Sequence, residues 1–342
     1  MKRRTMLQLL TAVGVAGALA LPAHAQKVTL NVYTALETDQ LKAYQEGFNR
    51  VHPDIEIRWT RDSTGIITAK LLAEKSNPVA DVVMGVAASS MAVFDREGLL
   101  QPYAPAGLQR VRAEYRDQAN PPKWVGMDVW GAAICYNTVE AQKLGLPKIE
   151  SWRDLTRPEF RGKVVMPNPA SSGTGFFDVT AWLQIFGEQA GWEYMDRLHD
   201  NIAVYTHSGS KPCRMAGAGE FPVGISFEYR ANATRESGAP IEVVYPSEGL
   251  GWDLEAAGIV SGTKKLEAAR KLLDWAISDD AMQLYAKNFA VVAVPGFASR
   301  LTHVPADYEQ RLVNNDFAWM AANRDAILAE WQKRYATKSE PK

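Results

Sequence analysis

The chain predicts an α/β fold with two sheets, each of mostly parallel strands flanked by helices. Three observations carry this. Short alternating or continuous apolar runs are followed by helical spacings, again and again, over the first hundred residues. Four strand-to-helix junctions share one chemistry, a loop of small hydroxyl and glycine residues. Hydrophobic content of 46% with 10 Trp supplies enough apolar material for a packed interior.

Val28 to Tyr33 alternates as a strand, and Asp39 to Val51 has helical spacing with Leu41, Tyr44 and Phe48 on one face. Ile55 to Trp59 alternates again. Asp62 to Gly65 is a turn or cap, and Ile66 to Lys75 is helical. Ala80 to Met84 reads as a buried strand, Met91 to Gly98 as a helix stopped by its glycine. Trp130 to Tyr136 is an apolar strand, and Ser151 caps a short helix to Leu155. Lys163 to Met166 is a strand, with a helix from Phe176 to Phe186 after a small-residue loop. Val204-Tyr205, Val223 to Phe227, Ile241 to Tyr245 and Gly258 to Val260 are further strands. Lys211 to Gly219, Leu266 to Ser278, Ala281 to Asn288 and the tail from Tyr308 to Tyr335 have helical character.

The N-terminus carries Lys2, Arg3 and Arg4, an apolar stretch from Met6 to Leu21, and Ala23-His24-Ala25. That is the pattern of a cleaved secretory leader over residues 1–25, so the expected location is the periplasm. The apolar stretch is short for a membrane span of ~20 residues. The net charge of −1 offers no basic footprint for nucleic acid. Cys135 and Cys213 are the two cysteines. An exported chain permits a disulfide, and the sequence does not say whether they meet. Lying far apart with no His nearby, they are not a metal site.

The most informative loop is Ser171 to Gly175. Backbone N–H groups of a first helical turn have no internal partner, and the helix dipole places partial positive charge there. Hydroxyls add donors, and glycine permits close approach, so the loop is a candidate anion seat. Ordinary helix capping by Ser and Thr accounts for the same residues. Thr34-Ala35, Ser63 to Gly65 and Ala88-Ser89 repeat the chemistry. In open α/β sheets such junctions gather outside the carboxyl ends of the strands, where ligands bind.

Longer phrases carry a resemblance: VYTALETDQLKAYQEGF, RDSTGIITAKLLAE, PEFRGKVVMPNPASSGTG and SGSKPCRMAGAGEFPVGISFEYR. Over nearly the whole mature chain they resemble the periplasmic 2-aminoethylphosphonate-binding proteins of ABC importers. These belong with the ferric-iron-binding class of solute receptors. The resemblance implies the two-lobed periplasmic-binding-protein fold, with a hinge and a ligand cleft between the lobes. It places one lobe at about 27–125 plus 247–300 and the other at 126–246 plus 301–342. It implies a permease as partner and a receptor without catalysis, cofactor or resident metal. No oligomerisation signal is visible, and a monomer is expected.

Ferric receptors of this class carry adjacent tyrosines where this chain has Glu228-Tyr229, and often a His where it has Glu37. A metal-binding receptor is therefore the alternative reading. A phosphonate is expected among Thr34, Ser63, Thr64, Ala88, Ser172, Gly173, Thr174 and Ser226. An ammonium is expected at Glu37, Glu228 or Asp128, with Tyr205 or Tyr229 as aromatic wall. Trp124 and Trp130 are expected in the core, and His207 is a candidate for the cleft wall. An exported phosphonate or phosphate-ester hydrolase is the remaining reading. It lacks a constellation, since no G-x-S-x-G or HExxH is present.

Overall fold

The computed structural model describes residues 27–341. The expected leader at 1–25 lies outside the described residues. The chain begins with β1 (Val28–Thr34), α1 (Thr38–Val51), β2 (Ile55–Arg61), α2 (Thr64–Ala73), β3 (Val82–Ala87), α3 (Ala88–Arg96) and a short β4 (Leu100–Gln101). There follow β5 (Val125–Asn137), α4 (Thr138–Leu144), β6 (Val164–Pro167), α5 (Gly173–Phe186), α6 (Glu188–Asn201), β7 (Ile202–Thr206), α7 (Lys211–Ala218), β8 (Val223–Phe227), α8 (Glu228–Glu236) and β9 (Ile241–Val244). The last elements are β10 (Trp252–Val260), α9 (Leu266–Ala276), α10 (Asp279–Tyr285), β11 (Val291–Val292), α11 (Tyr308–Arg311) and α12 (Phe317–Tyr335).

The expected mixed α/β architecture is present, with one refinement: the two sheets share a strand. Strand order is β2-β1-β3-β10-β5-β8-β6-β7. The first half of β5 pairs antiparallel with β10, from Val125↔Ala257 to Gly131↔Trp252. The second half pairs antiparallel with β8, from Ala132↔Phe227 to Tyr136↔Val223. On one side β2, β1 and β3 are parallel; on the other β7, β6 and β8 are parallel. Every position of β5 is buried. That is why it reads as a near-continuous apolar run rather than an alternation.

Helices lock onto this frame by their apolar faces. In α1, Tyr44 and Phe48 are buried and meet Tyr285 of α10 and Trp275 of α9 edge-on. Each such side chain contributes about 2 kcal/mol on leaving water. Cys135 on β5 and Cys213 on α7 are joined in a disulfide, with Cα atoms 5.3 Å apart. The bond fastens α7 to the sheet of the second half.

The structure departs from the sequence reading at β10, at α6 and α8, and in the tail. Strand β10 starts at Trp252, well before Gly258, because Asp253 and Glu255 interrupt its apolar pattern while being buried. Helix α6 follows α5 after the single residue Gly187, and α8 starts at the residue after β8, so neither is set off by a loop of its own. The tail is not one helix. Val313 N–H donates to the Leu250 carbonyl and Leu250 N–H to the Arg311 carbonyl, which diverts the backbone. Asp316 then restarts the helix by capping Trp319 N–H at 2.9 Å.

Candidate functional site

Helix starts from both halves meet at one small cavity. Its walls are Ala35, Glu37, Arg61, Ser63, Thr64, Gly85 and Glu255 from the first half and Trp130, Ser172, Gly173, Thr174, Gly209 and Phe227 from β5 and the second half. The cavity is partly open to solvent, and its space is about 40 Å³, room for about three water molecules. The halves touch around it. Gly65 N–H donates to the Ser171 carbonyl at 2.9 Å, and His207 Nε2 lies 3.2 Å from Asp62 Oδ1.

The donor side is built from first helical turns. Ser63 and Ser172 are the N-cap residues of α2 and α5. The Ser63 hydroxyl caps nothing, and the Ser172 hydroxyl accepts only a long 3.4 Å bond from Gly175 N–H. Thr64, Gly173 and Thr174 belong to those first turns, whose N–H groups point out of the helix. Two dipoles from opposite halves thus converge on one small volume. Glycine at 173 is required by closeness: a Cβ would lie 2.8 Å from Thr64 Oγ1 and 3.0 Å from the Trp130 ring.

Glu37 differs from expectation. It lines the cavity, but three arginines already engage its carboxylate. Arg230 Nη2 lies 2.8 Å away, Arg214 Nη2 3.1 Å and Arg61 Nη2 3.2 Å. Arg230 also reaches Asp39 at 3.0 Å. Arg214 and Arg230 belong to the second half, so this ion network spans the cleft. A carboxylate so engaged has little left for a ligand ammonium.

The free carboxyls lie elsewhere. Glu255 on β10 and Asp128 on β5 are register partners, and Glu255 borders the cavity. Register shifts of β10 on both sides of Ala256 turn the strand beside Glu255. Both oxygens of Asp128, Oε2 of Glu255 and Oε1 of Glu228 are buried without a hydrogen-bond partner among the described residues. Burial pushes Glu255 and Glu228 up to about 8. It raises Asp128 well above the carboxylate range, with Glu255 and Glu228 adding like-charge repulsion.

Of the expected site residues, Glu37, Ser63, Thr64, Ser172, Gly173 and Thr174 line the cavity. The others sit behind it or away from it. Thr34 is buried, its hydroxyl accepting from Leu36 N–H at 3.1 Å. Ala88 is the buried first residue of α3. Ser226 donates to the Gly209 carbonyl at 2.7 Å and so shapes the wall rather than forming it. Asp128 is fully buried beside its register partner Glu255 and does not line the cavity. Glu228 accepts from Gly131 N–H at 2.8 Å. Tyr229 packs on Phe289 and under the Arg230 guanidinium. Tyr205 is remote, edge-on to Trp331 and bonded to His199 at 2.8 Å. Among the described residues no tyrosine borders the cavity; the aromatic walls are Trp130, which was expected in the core, and Phe227. His207 is on the cleft rim.

Sequence reasoning passed over Arg61, Trp130, Phe227 and Glu255. Arg61 ends β2 directly before the Ser63 loop, a position that carried a usable signal. Glu255 had none, because its role depends on which strand lies beside it. Among the described residues no group of three or more His, Cys, Asp or Glu is arranged to hold a metal ion.

Residues 77–321 match the family model for bacterial extracellular solute-binding proteins. The chain belongs to this family. A solute-binding protein's fold is two-lobed, and the neighbours in structure bear this out. The chain is similar to the periplasmic binding protein AfuA of Actinobacillus pleuropneumoniae, solved with exogenous fructose 6-phosphate bound. Identity is 28%, the TM-score 0.84, with 91% of this chain and 99% of that chain covered. An uncharacterized protein of Haemophilus influenzae is 29% identical over 81% of this solute-binding protein and 82% of its own length. A Salmonella typhimurium periplasmic protein named provisionally for 2-aminoethylphosphonate binding is 24% identical, over 66% of each chain.

Proposed function

We propose that this solute-binding protein captures a small solute bearing a phosphonyl or phosphoryl group and hands it to an ABC-importer permease in the periplasm. The observation that carries this reading is the convergence of two helix starts, α2 and α5, with the hydroxyls of Ser63, Thr64, Ser172 and Thr174 on one cavity. A tetrahedral dianion accepts many hydrogen bonds at once, and such a nest of N–H and O–H donors matches it. Arg61 adds one positive charge at the wall. Binding would act as a population shift towards the state in which the halves touch.

The ligand proposed is 2-aminoethylphosphonate. Two features support so small a zwitterion: the cavity is small, and the Glu255 carboxyl borders it together with the donor nest. A sugar phosphate is the second reading, favoured by the 28% identity to the fructose 6-phosphate-bound receptor. Its larger body would need the halves further apart. Among the described residues no tyrosine lines the cavity, which counts against the tyrosine-bound ferric alternative.

Isothermal titration of the mature protein with 2-aminoethylphosphonate, fructose 6-phosphate, inorganic phosphate, sulfate and ferric ion tests the reading. Saturable binding of 2-aminoethylphosphonate, with phosphate and sulfate much weaker, is expected. Binding of fructose 6-phosphate alone moves the ligand to the second reading. Binding of ferric ion alone, or of none of these, overturns the proposal. Release of inorganic phosphate during the titration would refute a receptor without catalysis.

A further inference from the structure

We infer that Asp128 and Glu255 form a cation subsite that receives the protonated amine of the ligand. The inference rests on the reading of the cavity as a phosphonyl or phosphoryl seat, and it names what the opposite wall selects.

The contrast with Glu37 carries the argument. Glu37 meets Arg61, Arg214 and Arg230. Asp128, Glu228 and Glu255 meet no lysine or arginine among the described residues, and four of their six oxygens are buried without a partner. Glu255 is 7% exposed and borders the cavity. A buried carboxylate without a counter-charge is costly, so the group stays protonated or a cation arrives. No third carboxylate joins in a metal-binding arrangement. Asp128 and Glu255 lie close enough to share a proton between their carboxyls, and an alkylammonium, with one positive charge and three N–H donors, suits two such facing carboxyls in place of that shared proton.

The charge balance is explicit. Without ligand the pair retains a proton. The ammonium takes that proton's place, and the proton leaves to solvent, so the buried charge does not change. Other groups face the pair from every side: Glu228 from α8, Glu37 from the start of α1, Tyr44 from α1 and Tyr285 from α10. All are anionic or neutral. Arg61, also on the cavity wall, is committed to Glu37 and to the Leu36 carbonyl.

The test is titration calorimetry at pH 7 in two buffers of different ionisation enthalpy. It compares 2-aminoethylphosphonate with ethylphosphonate, which lacks the amine, on wild type, Glu255→Gln and Asp128→Asn. Any proton from the phosphonate itself is common to wild type and variant, so the difference isolates the pair. Wild type is expected to release more protons than Glu255→Gln on binding the amine. Its affinity should exceed that of the variant by about 30-fold or more, as for a charge partner removed from a buried pair. Ethylphosphonate should bind wild type and Glu255→Gln alike. If Glu255→Gln fails to fold, Asp128→Asn provides the same comparison. Equal losses for both ligands, or no difference in proton release, overturn the inference while leaving the anion seat intact. Failure of every phosphonate and phosphate to bind the wild type removes the seat, and this subsite with it.

Discussion

Replacing Glu37 by Gln should loosen closure of the cleft rather than erase a ligand contact. The Glu37–Arg230 pair at 2.8 Å is well shielded, with side chains 11% and 8% exposed. At an effective dielectric of 20, two charges at that distance attract by about 6 kcal/mol gross. Most of this does not reach the net. Arg230 keeps Asp39 at 3.0 Å, and glutamine still accepts a hydrogen bond. Arg214 is 54% exposed, so its share is at most about 1 kcal/mol. A net loss of about 2 kcal/mol remains, roughly a 30-fold shift away from the closed state. Ligand affinity measured by calorimetry should fall by about that factor. Small-angle scattering of the ligand-free variant should show a larger radius of gyration than wild type. Because Arg61 and Arg214 are then freer, inorganic phosphate should lose less affinity than a zwitterion. An unchanged radius together with an unchanged affinity would refute the network's role in closure. A loss confined to amine-bearing ligands would instead return Glu37 to direct recognition.

Gly173→Ala should weaken binding about 10-fold with little change in ligand-free melting temperature, since its new methyl group strikes Thr64 and Trp130 across the closed cleft; an unaltered affinity by calorimetry would refute the required closeness. The double change Cys135→Ser and Cys213→Ser opens a loop with a sequence separation of 78. In the chain-entropy account it should cost about 4 kcal/mol in urea unfolding, and a loss below ~1 kcal/mol would show the bond to be dispensable. Glu228 is held up to about 8 in the fold against an ordinary value of 4.5. The folded state therefore binds the extra proton, and its stabilising effect is complete below about pH 4.5 and is lost as pH rises to about 8. Glu228→Gln should remove that part of the slope, so wild type should lose stability relative to the variant by a few kcal/mol between those limits. Parallel stability–pH curves for the two proteins would contradict it.

The fold was legible where local pattern and burial agree. Alternation in β1 and β2, the apolar face of α1 and the loop before α5 all follow from periods of two and 3.6. β10 was truncated because Asp253 and Glu255 look like solvent-facing residues. Asp253 is buried instead by accepting from Leu254 N–H at 2.7 Å and Ser89 N–H at 3.3 Å. The donor side of the cavity was legible for the same reason as the helices: caps are local. Ser63, Thr64, Ser172, Gly173 and Thr174 all reach it. The charged side was not, because it is assembled from strand pairing. Only the register Glu255↔Asp128 reveals the acid pair, and only closure of α1 on α7 and α8 reveals what Glu37 holds. Tyr205 misled because an aromatic at the end of a strand suits a cleft wall, whereas here α12 covers it through Trp331.

The division of labour among the carboxylates bears on selectivity. If Glu37 faced the ligand without its arginines, it would repel any dianion seated by Ser63 and Thr64, and inorganic phosphate would be excluded by charge alone. With three arginines attached, the Glu37 region repels no anion. Discrimination then falls to Glu255, which shares the cavity with the donor nest, and to its buried register partner Asp128; neither carries a cation among the described residues. Inorganic phosphate brings no ammonium to these carboxyls and leaves them as they were, so it gains the nest alone. A ligand that spans both walls gains the nest and satisfies the buried lone pairs too. Affinity for the anion and selectivity among anions therefore lie on different elements, the starts of α2 and α5 and the strand β10, and substitutions at Ser172 or Thr64 should weaken all phosphoryl and phosphonyl ligands together, whereas substitutions at Glu255 should change their ranking.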